Sequence, residues 1–433
     1  MSNVNPIALV CLLLVIMLLA IALFGWIRRY WQLSLAACFI LVGFIFTNGF
    51  TLFIPTPSLS HDHLQLLTEY FLLPVILADA AYRFNIHVIR RQPWRPMSLL
   101  LPHFFIVLAF AFLFMLWGLN HQSETSLMMV LAAALLIFIS DLSPPNKTLS
   151  MLNEIDKAKP DKTRLSGWVQ IESFVIGVLA LMLFLAVARL TAMDTEADFI
   201  WPSVTWYWLY WLWALFGGVI FGFIWGVLGG LLTTNIKNYR INLLLLSVIS
   251  WFSYLSSLQF FGVSGITALL TTVLIMNKAH SQFLSPREIR YMRALSRNLH
   301  FIIGFVIYGL IIYKLQIGFL LNHWFDMMLA VAIYIIVRAI GLYGFLPLMA
   351  QLSASQVAHN IRHVLFLSTT HSSLILLAVW LLPADIPAKE SYEAMAIALV
   401  LFSLFVQRPH LPGLLQKLTP AKPIRGINLI KNR

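Results

Sequence analysis

Long apolar runs, broken at short intervals by polar and charged residues, dominate this chain from one end to the other. About 20 consecutive apolar residues make a helix that crosses the hydrocarbon layer of a bilayer. On that ruler the pattern predicts thirteen spans, at about 6–27, 31–54, 64–82, 97–119, 126–142, 165–190, 204–232, 241–259, 262–279, 299–317, 326–348, 361–383 and 391–407. Gly262 and Gly265 are the only punctuation inside 241–279 and set the division there. The expected fold is an all-α integral membrane bundle.

Composition agrees. Of 433 residues, 60% are hydrophobic and 11% charged, whereas a soluble domain carries about 25% charged residues. Lipid accepts apolar surface that water would not. Cys11 and Cys38 lie inside apolar runs and read as small core residues, not as a disulfide or metal site. The run 6–27 has no basic segment before it and no small-residue cleavage site after it, so it is expected to be a retained span. A net charge of +12 could suit nucleic acid. Here the basic residues fall in short loops between apolar runs, where the positive-inside rule and anionic lipid explain them.

Those loops alternate in sign. One set carries Arg28 and Arg29, then Arg83, Arg90, Arg91 and Arg95, then Lys147 to Arg164, Lys237 and Arg240, and Lys278 to Arg297. The other set is mainly acidic, with Asp62, Glu124, Asp194, Glu196, Asp198, Asp385 and Glu390. Lys and Arg resist translocation, so the N-terminus is expected outside and the C-terminus in the cytoplasm, in a plasma (inner) membrane. That orientation requires an odd number of spans. Residues 1–407 are expected to form the transmembrane domain. Residues 408–433, with six basic residues and no acid, read as a cytoplasmic tail near anionic headgroups.

Charges inside the apolar runs are the candidate chemistry, because each costs about 2.5–3.5 kcal/mol at mid-membrane on insertion scales. They are Asp79, Asp141, Glu172 and Arg338, with Arg362 near the start of another run. Asp141 follows a run too short to span comfortably, and Pro144 and Pro145 then break the helix. A carboxylate at a broken helix is a common way to build an ion site in a carrier; the bland alternative is a cap at the inner surface. Glu172 and Arg338 are each costly alone and are expected to pair. The twelfth run has a polar centre, residues 368–373, including Thr369, Thr370 and His371. Its hydroxyls, with that of Ser140, could give a hard cation neutral oxygens, or simply bond helix to helix. His371 alone is more often a satisfied core histidine than a ligand. There is no nucleotide loop, HExxH, GxSxG or Cys/His metal spacing. No soluble-type enzyme, metal site or cofactor is expected.

Several of these segments, in this order, resemble the monovalent cation:proton antiporter superfamily, on the sodium/proton exchanger side, over about 64–383. In LADAAYRFN (77–85) Asp79 falls where that family has a glutamate in an FEAAL stretch, and Arg90, Arg91 and Arg95 follow as its basic inner loop does. Ser140-Asp141 is similar to the Thr-Asp of its TDP break, and Glu172-Ser173 to the start of its ESxxND motif. FGVSGITALL (261–270) is similar to its SGxxA segment and NIRHV (360–364) to its GLRGA, while Arg338 matches its intramembrane arginine. The resemblance implies about thirteen helices in two inverted repeats, about 64–232 and 299–407, with two crossed broken helices at Asp141 and 368–373. It also implies homodimers that exchange Na+, K+ or Li+ for protons. The sequence departs from the family where its Asn-Asp pair is replaced by Ile176 and Gly177, the proline of TDP by Leu142, and the glutamate before SG by Gln259. Three functions therefore stand side by side. The first is antiport of Na+ or K+ against protons by alternating access, with Asp141 as the shared carboxylate and Ser140, Thr369 and Thr370 beside it. The second is a non-transporting relative on the same scaffold. The third is a carrier of another small ion, with Arg338 and Arg362 attracting an anion.

Overall fold

The structure is a computed structural model. It describes residues 35–50, 61–84, 94–119, 126–144, 146–158, 165–194, 201–234, 236, 238–283, 286–352, 359–371, 373–383, 386 and 388–418. The predicted span 6–27, Cys11, Arg28, Arg29, Arg90, Arg91 and residues 419–433 lie outside them. Every described element is helical. We number them α1 Leu35–Phe50, α2 His61–Leu67 continued by Thr68–Leu72 and Leu73–Arg83, α3 Trp94–Leu119, α4 Leu127–Leu136 and α5 Asn146–Ala158. Next come α6 Leu165–Ile171 continued by Glu172–Ile176 and Gly177–Asp194, α7 Trp201–Thr234, α8 Tyr239–Phe260, α9 Gly265–Phe283, α10 Pro286–Lys314 and α11 Ile317–Asn322. The last are α12 Trp324–Ala339 continued by Ile340–Phe345 and Leu346–Leu352, α13 His359–Ser368, α14 Ser373–Trp380, and α15 Lys389–Phe402 continued by Ser403–Gln407 and Arg408–Leu418.

Seven described helices are long and apolar enough to cross a membrane, or eight if the bent pair α13–α14 is one span, and four more apolar helices are shorter. Together these fall on the predicted runs from 31–54 to 391–407. The helix surfaces follow from the solvent. On α7 the exposed side chains include Trp206, Trp213, Phe216, Ile220, Phe223 and Leu231. Lipid tails take such a face without cost, which is why α7 needs no amphipathic stripe. The half-helices behave oppositely. All of α14 and most of α4 are buried. Too short to cross the bilayer, they lie inside the protein, where other helices replace the hydrogen bonds lipid cannot make.

Two groups of helices pack around that centre. Helices α7, α8 and α9 pack on one another, and α8 and α9 also pack on α2. Gly262, at φ +58°, makes the turn between α8 and α9, which confirms the division that glycine punctuation suggested. Where α7 crosses α9, a Cβ on Gly222 would lie 2.2 Å from the Ala268 carbonyl, so only glycine allows this approach. Thr272 uses it to reach the Gly222 carbonyl at 3.0 Å. The second group gathers α4, α6 and α3 with α12, α14 and α15.

The last helix departs from the expectation of a tail starting at residue 408. It runs on to Leu418, with Leu411 and Leu415 buried against α5 and α13. Pro409 and Pro412 do not end it, because packing of that apolar face outweighs the lost backbone bonds.

Overpacking of a tight crossing destabilises by about 1–3 kcal/mol or more. Gly222→Leu is therefore expected to lower the melting temperature of the detergent-purified protein. Gly309→Ala, where an added Cβ meets nothing within 4 Å, should leave it unchanged or raise it by up to about 1 kcal/mol in stability.

Candidate functional site

The site forms where two helices are interrupted at the same place. Helix α4 stops at Leu136. The amides of Phe138 and Ile139 close its end on the carbonyls of Leu135 and Leu136, at 3.0 and 3.1 Å. The chain then runs non-helically past Ser140 and Asp141 to Pro144 before α5 begins. Helix α13 stops at Ser368, and α14 restarts at Ser373 after a bend of 52°. Helix ends leave backbone donors and acceptors without intrahelical partners. Here each break satisfies the other. The Asp141 amide donates to the Thr370 carbonyl at 2.8 Å. The Thr370 hydroxyl donates to Asp141 Oδ2 at 3.3 Å. His371 Nε2 bonds the Ile137 carbonyl at 2.8 Å. A carbonyl only accepts, so Nε2 carries the proton of this bond. The His371 amide is held by Ser403 Oγ of α15 at 3.0 Å.

Beside the two breaks lies a buried ion pair. Arg338 Nη2 is 2.5 Å from Glu172 Oε1 and donates to the Leu365 carbonyl at 2.9 Å and to the Thr369 hydroxyl. Leu365 is in the last turn of α13, where carbonyls lack intrahelical donors. One guanidinium thus neutralises an acid and caps a broken helix. The Tyr334 hydroxyl donates to the Thr369 carbonyl at 3.0 Å and accepts from Gln407 Nε2 at 2.8 Å.

A second ion pair joins Asp141 Oδ2 to Arg408 Nη2 at 3.0 Å. The Tyr308 hydroxyl of α10 is also bonded to Arg408. Asp141, Ser143, Arg83 and Arg408 line a cavity of about 180 Å³ walled by Ile76, Ala80, Leu142 and Leu374. Three of the charges delivered to this region have a π-helical turn next to them on their own helix. Glu172 opens one, Arg338 precedes another by two positions, and Arg408 follows a third. Such single-turn insertions re-aim side chains and are frequent at functional sites.

Of the residues singled out from the sequence, Asp141, Ser140, Thr369, Thr370 and His371 gather where the two breaks meet, with Glu172 and Arg338 beside them. Asp79 lies apart, in contact with Arg83 and Ser296. Arg83 nevertheless reaches the same cavity as Asp141. Arg362 stands on α13 close to Tyr343 of α12. Sequence reasoning missed Arg408, Tyr308, Tyr334, Gln407 and Ser403. Arg408 falls in the segment that reads as a solvated tail; the apolar spacing of Leu404, Leu411 and Leu415 is the signal that the helix continues. At Gly177 a Cβ would sit 2.8 Å from Leu142 Cδ2 and 3.4 Å from Ser140 Oγ. Leu142 therefore fills the space into which a side chain at position 177 would point.

Interrupted helices that meet inside a membrane bundle, with ionisable groups at the meeting point, are the architecture of secondary transporters. The sequence matches the model of the family described as "Sodium/hydrogen exchanger, transmembrane" over residues 8–417, and the chain belongs to that family of integral membrane proteins. Among solved structures it is similar to the sodium proton antiporter MjNhaP1 from Methanocaldococcus jannaschii at pH 8. The TM-score is 0.69 and the identity 14%, over 96% of this chain and 100% of that one. At that identity the likeness is one of fold. No curated protein matches the sequence.

Breaking a buried pair by removing one partner costs about 3–5 kcal/mol, because the other charge is left uncompensated. Arg338→Leu and Glu172→Leu should each lower the thermal stability of the purified protein strongly, and the double variant should regain part of the loss. A double variant no more stable than the worse single would show that the two charges do not depend on each other.

Proposed function

We propose that this protein is a secondary antiporter that exchanges a monovalent cation, Na+ or K+, for protons. The observation that carries the reading is the position of Asp141 where two helix breaks meet: its amide bonds the Thr370 carbonyl and its carboxylate accepts from the Thr370 hydroxyl. In this reading Asp141 is alternately protonated or bound to the cation. Ser140, Thr369 and Thr370 supply neutral oxygens, which suit a hard cation. One shared carboxylate exchanges one proton for one monovalent cation. Access alternates as one group of helices moves against the other. Membership of the sodium/hydrogen exchanger family supports the same chemistry, as does the fold shared with a sodium proton antiporter.

The finer architecture belongs to the proposal. It comprises thirteen spans in residues 1–407, inverted repeats at about 64–232 and 299–407, and a basic cytoplasmic tail whose start now lies beyond the helix that ends at Leu418. It also includes the N-terminus outside, the C-terminus inside, an inner-membrane location and a homodimer. Glu172 and Arg338 hold the scaffold of the breaks and take no part in exchange. Asp79, Arg362 and His371 are secondary candidates.

One observation favours a second reading, a non-transporting relative or a carrier of another small ion. Gly177 stands where the family pattern has an aspartate, and the space there is filled by Leu142. The site then has one carboxylate where two are expected, and Arg408 already neutralises it.

Reconstituted vesicles separate the readings. Pulses of Na+ or K+ should drive proton flux across a pH gradient, and Asp141→Asn should reduce that flux to the level of empty vesicles. Cation binding with no flux would favour the non-transporting relative. Flux that survives Asp141→Asn would move the site elsewhere.

A further inference from the structure

The two arginines at the site are held in different ways. Arg338 has three acceptors, one of them a backbone carbonyl at the end of a broken helix. Moving it would leave the buried Glu172 without its counter-ion. Arg408 has side-chain partners, Asp141 and the Tyr308 hydroxyl. The Nε of each is buried without an acceptor, but the Arg408 side chain is 22% exposed against 7% for Arg338 and stands on the wall of the cavity that Asp141 also lines. Immediately before it, the π-helical turn Ser403–Gln407 holds one residue more than an α-helical turn. Converting that turn to α-helix rotates the following segment by about 100° relative to the preceding one, the angle of one residue. That rotation would carry Arg408 away from Asp141 while the helix stayed continuous.

We propose that Arg408 is a tethered counter-ion that occupies the cation seat at Asp141. A cation binds there only when Arg408 has left, and the return of Arg408 expels it. The proposal rests on the reading of Asp141 as the cation-binding carboxylate. A carboxylate with a guanidinium nitrogen at 3.0 Å offers an incoming monovalent ion no net charge, and the two cations would repel at close range. The apparent affinity of the site is then the intrinsic affinity reduced by the fraction of time Arg408 is absent. Arg408 thereby sets affinity and selectivity without itself being a ligand.

The test is equilibrium binding of radioactive Na+ and K+ to the full-length purified protein, with no flux measured. Arg408→Gln should tighten binding by about tenfold or more, the factor expected if Arg408 is absent less than a tenth of the time. The tightened binding should vanish in Asp141→Asn/Arg408→Gln. Two milder variants cover the case in which Arg408→Gln does not fold. Tyr308→Phe removes the second anchor of Arg408 and leaves Asp141 untouched, so it should tighten binding by a few-fold, while Arg408→Lys, which keeps the charge, should stay near wild type. Arg408→Gln and Tyr308→Phe proteins that melt like wild type but bind no more tightly would overturn the proposal. So would tightening that persists in the double variant. Tighter binding by Arg408→Gln in a protein that never exchanges ions would overturn antiport and leave this proposal standing. Unchanged binding in a protein that does exchange ions would do the reverse.

Discussion

Two helices stop inside the bilayer, and the backbone groups they release must find partners in a solvent that offers none. Everything around the site follows from that requirement. The amide of Asp141 takes the carbonyl of Thr370, the imidazole of His371 takes the carbonyl of Ile137, and Arg338 takes the carbonyl of Leu365. An unsatisfied group of this kind costs several kcal/mol in hydrocarbon. The two breaks therefore have to lie together. Their neighbours α6, α12 and α15 each bring side chains that complete the network.

The same constraint explains why the site is ionic. A guanidinium has five donors in a fixed plane and can cap a carbonyl while neutralising a carboxylate. Arg338 does both. Its pair with Glu172 is costly to assemble, yet more costly to leave half made. The pair of Arg408 with Asp141 is of a different kind. It borders a cavity and is anchored by side chains alone. One pair caps a broken helix, and the other faces the cavity beside it.

Much of this was legible in the sequence because lipid is an exacting solvent. It demands a run of apolar residues for every crossing, so the runs from 31–54 onward fall on helices of the structure. It penalises charge, so Asp141, Glu172 and Arg338 stood out without any geometry. Pro144 and Pro145 removed donors in a run already too short, and the break was readable. The sequence was misleading at its C-terminal end, where Pro409, Pro412 and a series of basic residues imitate a helix stop followed by a tail. In the structure α15 continues, because Leu411 and Leu415 pack against α5 and α13.

The sequence by itself determined that the chain lives in a membrane, where its long apolar runs lie, which segments break and which buried charges need partners. These are local properties, set by the transfer cost of each residue and by the missing amide of proline. Only the tertiary structure decided who the partners are. His371 bonds a carbonyl 234 positions away, and Asp141 meets Arg408 from a helix 267 positions on. Gly177 is occupied by Leu142 rather than open to an ion. Such pairings depend on how helices cross and on where a π-helical turn rotates a side chain, and no spacing along the chain encodes them.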